Sequence, residues 1–160
     1  MSRLIQFVVV GRLRAPLDAA GQEFEKRIAR MADLKVDEVS AEAVQHGDPQ
    51  VFRKEGERMR ARIAQGSYVV ALDVRGKAPA SSEALAAWMG RRLEDVKPTT
   101  FLIGGAIGLD PTLCAEADER MSLGPLTLPH QLARVVLGEQ VYRSLADLAG
   151  HPYPRAGGGR

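Results

Sequence analysis

Leu123-Gly124-Pro125-Leu126-Thr127-Leu128-Pro129-His130 decides how this chain is read. The stretch is apolar, yet it holds two prolines and a glycine and has neither helical nor strand periodicity. A connecting segment normally runs over the surface and is polar, because its backbone groups need water. An apolar one has to be covered by a ligand, a partner subunit or another part of the chain. Pro129 suits the first turn of a helix, and residues 131–148 predict a long one. Leu132, Val135, Val136, Leu137, Val141, Leu145 and Leu148 give it an apolar face broader than one side of a sheet requires. Arg134, Glu139 and Arg143 fall on the surface that remains.

Upstream, the apolar runs are short. Residues 4–10 form a continuous run ending at Gly11, which predicts a buried strand. Residues 34–39 alternate and predict a second strand. Residues 67–73 predict a third, with Gly76-Lys77 marking the turn after it. Residues 99–103 predict a fourth and residues 120–123 a short fifth. Helical patterns separate them. Pro16 opens one helix carrying Leu17, Phe24, Ile28 and Met31, and Asp48-Pro49 starts another with Val51, Met59 and Ile63 inside. Ser81 or Ser82 caps a third, which carries Leu85, Trp88, Met89 and Leu93 and ends at Lys97-Pro98. Asp110-Pro111 caps a short fourth. Strands that alternate with helices and read as buried predict an α/β fold, a mostly parallel sheet with helices on both faces.

Ligands of open parallel sheets sit beyond the carboxyl ends of the strands. Leu72, the Gly104-Gly105-Ala106-Ile107-Gly108 loop and residues 123–130 therefore converge on one crevice if their strands are neighbours. Taken alone, the Gly-Gly-x-x-Gly pattern reads first as a plain tight turn and only second as a ligand loop. It is not GxGxxG, and no GxxxxGK[ST] phosphate loop occurs.

The bulk numbers narrow the class. A chain of 160 residues is one domain by length, residues 1–155 here, with the glycine-rich 156–160 read as a frayed tail. No apolar run approaches the roughly 18 residues that cross a bilayer. The run at 4–10 is too short for a signal-peptide core, so a cytoplasmic protein is expected. Cys114 is the sole cysteine, which excludes an internal disulfide and a cysteine-based metal site. His46, His130 and His151 have no ligand spacing, and no metal is expected. A net charge of +2 does not by itself demand a polyanionic partner. Arg53, Lys54, Arg58, Arg60 and Arg62 read as a solvated helix face or as phosphate contacts.

Several motifs then occur in order: Phe101-Leu102-Ile103-Gly104-Gly105, Gly108-Leu109, Ser122-Leu123, Leu126-Thr127-Leu128-Pro129-His130, Arg134-Val135, Glu139-Gln140, Tyr142-Arg143 and His151-Pro152-Tyr153. With Lys54-Glu55-Gly56-Glu57 and Leu72-Asp73…Gly76-Lys77, they cover essentially the whole chain. This pattern resembles the small SPOUT-class methyltransferases that methylate N3 of a pseudouridine in bacterial 23S ribosomal RNA. The resemblance implies a carboxyl-terminal trefoil knot, which sequence rules alone would not propose. It also implies S-adenosylmethionine as cofactor, a homodimer, and ribosomal RNA, within the ribosome, as substrate. Carried over by position, it implies cofactor contacts at Leu72, Gly104, Leu123, Gly124, Pro125, Leu126, Thr127 and Leu128. An adenine ring needs apolar walls and a few backbone hydrogen bonds, and glycine lets backbone come close, so the residue types agree. The chain departs from the family pattern at Ile107, where an acidic residue is usual, at Pro154, where histidine is usual, and at Pro125, which stiffens the loop.

N3 of a uridine-type base carries a proton that must leave, so a cation to favour the anionic base and a general base are both wanted. Tyr153, Arg155, His130 and Arg134 are the candidates. Tyr153 and Arg155 read either as reaching the target base from a partner subunit or as a packed tail. His130 reads either as a catalytic group or as part of the helix start. The rival functions are a nucleotide-binding or ribosome-associated module without catalysis, and a methyltransferase of this class acting on transfer RNA.

Overall fold

The computed structural model describes residues 3–153. β1 (Leu4–Val10) sends Ile5, Phe7 and Val9 into one core and Val8 and Val10 into another. That is the period-two pattern of a strand covered on both faces. β2 (Asp33–Val39), β3 (Tyr68–Lys77), β4 (Thr99–Ile103) and β5 (Glu119–Met121) complete the sheet. The order is β2-β1-β4-β3-β5, and every neighbouring pair is parallel. α1 (Leu17–Ala29), α3 (Ser82–Glu94) and α5 (His130–Leu148) place Ile28, Met89 and Leu137 on the first core. α2 (Asp48–Arg60) and α4 (Pro111–Glu116) place Met59 and Leu113 on the second. The expected α/β architecture is the observed one.

Two polar features fix the register of the layers. Gln6 is fully buried on β1, yet its amide makes four hydrogen bonds. Nε2 donates to Asp37 and to the Arg62 carbonyl, both at 2.7 Å. Oε1 accepts from the Ala64 N–H and the Thr100 hydroxyl, both at 2.9 Å. A buried amide so satisfied costs little and specifies one arrangement. The second feature ties α5 down. Arg134, 6% exposed, donates through Nε and Nη2 to Glu25 of α1 at 2.9 and 3.1 Å, and through Nη1 to Glu38 of β2 at 2.7 Å.

Three local expectations are corrected. Gly76-Lys77 is not a turn after β3. The strand buckles between Leu72 and Lys77 and then pairs again, Lys77 with Met121. Gly76 makes this possible, since a Cβ there would lie 2.6 Å from the Arg120 carbonyl carbon. Pro129 is the residue before α5 rather than part of its first turn, and His130 begins the helix. The fifth strand spans 119–121 rather than 120–123. Ser81, not Ser82, caps α3, accepting from the Ala84 N–H at 3.0 Å. A 3-10 turn, Val44–His46, between β2 and α2 has no counterpart in the sequence pattern.

From β5 at one edge of the sheet, the chain passes back across the carboxyl ends of β3 and β4 before α5 descends between α1 and α3. This route is consistent with the threaded carboxyl-terminal segment that the resemblance implies.

Candidate active site

The carboxyl ends of β3, β4 and β5 open into a crevice of about 870 Å³. Three segments form its walls: the buckle of β3 at 72–75, the turn after β4 at 103–109, and the connection from β5 to α5. Each takes its shape from local chemistry. In the turn after β4, the Gly108 N–H donates to the Gly105 carbonyl at 3.0 Å, and Gly108 holds φ +92°, a conformation open to glycine. Gly104 lies so close to the returning backbone that a Cβ would sit 2.4 Å from the Gly108 carbonyl carbon. In the last wall, the Ser122 hydroxyl donates to the Gly124 carbonyl at 2.6 Å, and the Gly124 N–H donates back to Ser122 at 3.1 Å. Gly124, at φ +140°, lets the chain turn at that clamp.

The lining is apolar at Leu72, Ile103, Leu109, Leu123 and Leu128, and glycine backbone at Gly104, Gly105, Gly108 and Gly124 forms part of the wall. Leu126 also lines the crevice while 78% exposed. A large apolar side chain held out over a cavity has surface to cover. Such walls suit a flat heteroaromatic ring held by backbone groups.

Among the residues singled out by sequence, Leu72, Gly104, Leu123, Gly124, Leu126, Thr127, Leu128 and His130 all line this crevice. Pro125 is exposed between them and is absent from the lining. His130 is half-buried, and burial first, then the Arg14 guanidinium, lowers its pKa, so it stands as a neutral base at neutral pH. Arg134 is elsewhere, enclosed by its two carboxylates. Tyr153 packs outside the crevice of its own chain. Its ring meets Tyr142 edge-on at 4.7 Å, its hydroxyl donates to Glu139 at 2.8 Å, and the Arg143 guanidinium lies 5.2 Å from its centroid. Burial and the bond to Glu139 raise its pKa, so it stays a phenol. Arg155, Pro154 and the tail at 156–160 lie outside the described residues.

Phe52, Asp73, Val74 and Arg75 are crevice residues that sequence reading did not find. Only the buckle of β3 turns the last three inward, and its one sequence signal is Gly76. The Asp73 carboxylate accepts from Arg75 at 3.0 Å, and this bond holds its pKa below the ordinary value. Among the described residues, no group of three or more His, Cys, Asp or Glu side chains could hold a metal ion, and no helix is long and apolar enough to cross a membrane.

Fold and site together define a parallel α/β protein with a cofactor-sized crevice closed by its last connection. A family described as predicted SPOUT methyltransferase has a model that matches residues 4–154, and the chain belongs to this family. The ribosomal RNA large subunit methyltransferase H of Ectopseudomonas mendocina is similar, 38% identical over 152 residues, covering 93% of this chain and 97% of that protein. The protein of that name from Pseudomonas fluorescens is 39% identical over 153 residues, covering 94% of this chain and 98% of its own length. Among solved structures, a probable methyltransferase from Bordetella pertussis Tohama I superposes with a TM-score of 0.56 at 15% identity, covering 90% of this chain and 95% of that one. That likeness is one of fold.

Proposed function

We propose that this protein transfers a methyl group from S-adenosylmethionine to N3 of a pseudouridine in large-subunit ribosomal RNA, acting as a homodimer in the cytoplasm. The observation that carries the reading is the glycine-lined apolar crevice enclosed by residues 123–128, together with family membership over residues 4–154. The residues present fit the cofactor. Leu72, Leu123, Leu126 and Leu128 supply walls for an adenine ring, and the backbone of Gly104 and Gly124 in the crevice wall supplies hydrogen bonds to its edge.

When bound, S-adenosylmethionine supplies a methyl group already activated by its sulfonium. The chain's own task is to hold the target nitrogen in line and to remove its proton. Holding the reactants together supplies much of the acceleration. Neutral His130, on the crevice wall beside Arg14, is the proton acceptor. Tyr153 serves the target base held by the partner subunit, because it faces away from its own crevice, and Arg155 is the cation that favours the anionic base. Half-buried Leu132, Val135 and Val136 on α5 give the dimer its apolar contact. Arg134 acts as a positioning residue that sets the start of α5.

The test is methyl transfer to ribosomes from cells lacking the protein, followed by mass mapping of the ribosomal RNA. One new methyl on a large-subunit pseudouridine is expected. Label on transfer RNA instead, or cofactor binding with no methyl transfer to any RNA, would replace this reading.

Leu126→Ala checks the enclosing loop separately. Covering its side chain with the adenosyl group contributes on the order of 1.5 kcal/mol, so cofactor affinity is expected to fall roughly tenfold. The melting temperature should not change, because Leu126 is exposed in the free protein. Unchanged affinity in calorimetry would remove Leu126 from the site.

A further inference from the structure

One carboxyl group of α2 has no part in the site described so far. Glu55 is 4% exposed. Its Oε2 accepts from the Glu42 N–H at 3.0 Å, while its Oε1 is buried with no hydrogen-bond partner among the described residues. A buried carboxylate oxygen left without a donor is costly and asks for an explanation. The carboxylate presses against Gly105: a Cβ built on that glycine would lie 3.2 Å from Oε1 and 3.4 Å from Oε2. Gly105 lines the crevice, as does Phe52, one turn before Glu55 on the same helix. Glu55 thus sits one residue behind the wall, and the absent side chain of Gly105 leaves its charge close to the cavity.

The crevice needs such a charge. Asp73 is the sole carboxylate among its lining residues, and Arg75 holds it through both Nε at 3.2 Å and Nη2 at 3.0 Å. S-adenosylmethionine bears a sulfonium, and S-adenosylhomocysteine, the product left after transfer, does not. The geometry points to Glu55 as the buried counter-charge for the cationic methyl donor, a positioning residue that favours the charged donor over its neutral product. This inference rests on the cofactor reading above.

The surroundings leave that charge available. From its own helix, Arg58 faces Glu55, but its guanidinium is committed to Glu42 Oε1 at 2.7 Å and the Ser40 carbonyl at 3.0 Å. The loop after β2 contributes Glu42, β1 contributes apolar Val10, and the turn after β4 contributes Gly105. Asp110 packs on the next residue, Gly56, and lies 3.6 Å from Arg60. Burial is the largest influence on Glu55 and raises its pKa, against the opposing Glu42 N–H and Arg58. Glu42, bonded to His46 and then Arg58, is pulled down to about 2 and stays ionised throughout.

The sign of the pH dependence follows. A cation in the crevice stabilises ionised Glu55, so the donor complex has the lower pKa. Donor binding then releases a proton as pH falls toward the raised pKa of the free protein, and donor affinity rises with pH through that window to a plateau. The neutral product has no such linkage.

Calorimetry on the whole protein tests this, with S-adenosylmethionine and S-adenosylhomocysteine titrated into the native chain and Glu55→Gln. A unit charge lost at such range is expected to weaken the donor about tenfold and the product less than about twofold. Equal weakening of both ligands, or of neither, overturns the inference. Should the variant not fold, a His130→Gln chain decides, because it lacks the one imidazole on the crevice wall. Between pH ~7.5 and ~5, its donor-to-product affinity ratio must fall, with proton release in buffers of different ionisation enthalpy; a constant ratio overturns the proposal. A native chain that binds neither ligand is a different result, since it removes the cofactor reading itself.

Discussion

Gly104→Ala is expected to abolish cofactor binding, lowering affinity by roughly a hundredfold or more. The added Cβ would lie 2.4 Å from the Gly108 carbonyl carbon, 2.5 Å from the Leu109 nitrogen and 2.6 Å from the Gly108 carbonyl oxygen. All three are backbone atoms, so no side chain can swing aside. The turn after β4 has to open, and with it the wall it gives to the crevice. Overpacking of this kind also costs about 1–3 kcal/mol of stability. Calorimetry with S-adenosylmethionine, alongside a thermal melt, separates the two effects. A folded variant with affinity within about threefold of native would show that the close approach at Gly104 has no bearing on the site.

Arg134→Met is expected to give the largest loss of stability. The substitution leaves Glu25 and Glu38 facing an apolar side chain. Glu25 is 12% exposed and Glu38 40%, so Glu25 bears most of the penalty. Removing one partner of a buried ion pair costs about 3–5 kcal/mol. For a chain of this size that lowers the melting temperature by roughly 6–20 °C. Adding Glu25→Gln to the variant should recover part of the loss, because it removes the stranded charge. A shift below about 2 °C in differential scanning would mean that water or relaxation already satisfies the two carboxylates.

Much of this fold was readable because the local signals agreed with one another. Residues 4–10 and 99–103 read as strands from their short apolar runs, and they lie side by side in the sheet. Asp110-Pro111 and Asp48-Pro49 marked helix starts that the structure places at the same positions. The connection at 123–130 was legible through its contradiction, apolar composition without periodicity, and it forms a wall of the crevice. What stayed hidden depends on contacts distant in sequence. Gly76 signalled a turn because glycine so often does, but the backbone of Arg120 approaching from β5 makes it a buckle. Arg134 looked like a surface cation on a helix. Its partners lie 109 and 96 residues earlier, beyond the reach of any local pattern. Glu55 sat in a charged stretch that read as solvated, and only the packing of α2 on Gly105 shows otherwise.

The tether between Gln131 and the amide of Arg14, 117 residues apart and 2.8 Å long, has a consequence for synthesis. Together with Arg134, it means the pocket gains its last wall only once α5 has left the ribosomal tunnel and docked on α1. Contacts of such span are slow to form, since a long loop must close before they give anything back. A nascent chain halted before α5 should therefore fail to retain S-adenosylmethionine, however well its first strands have paired. Ligand capture would time-stamp the completion of folding.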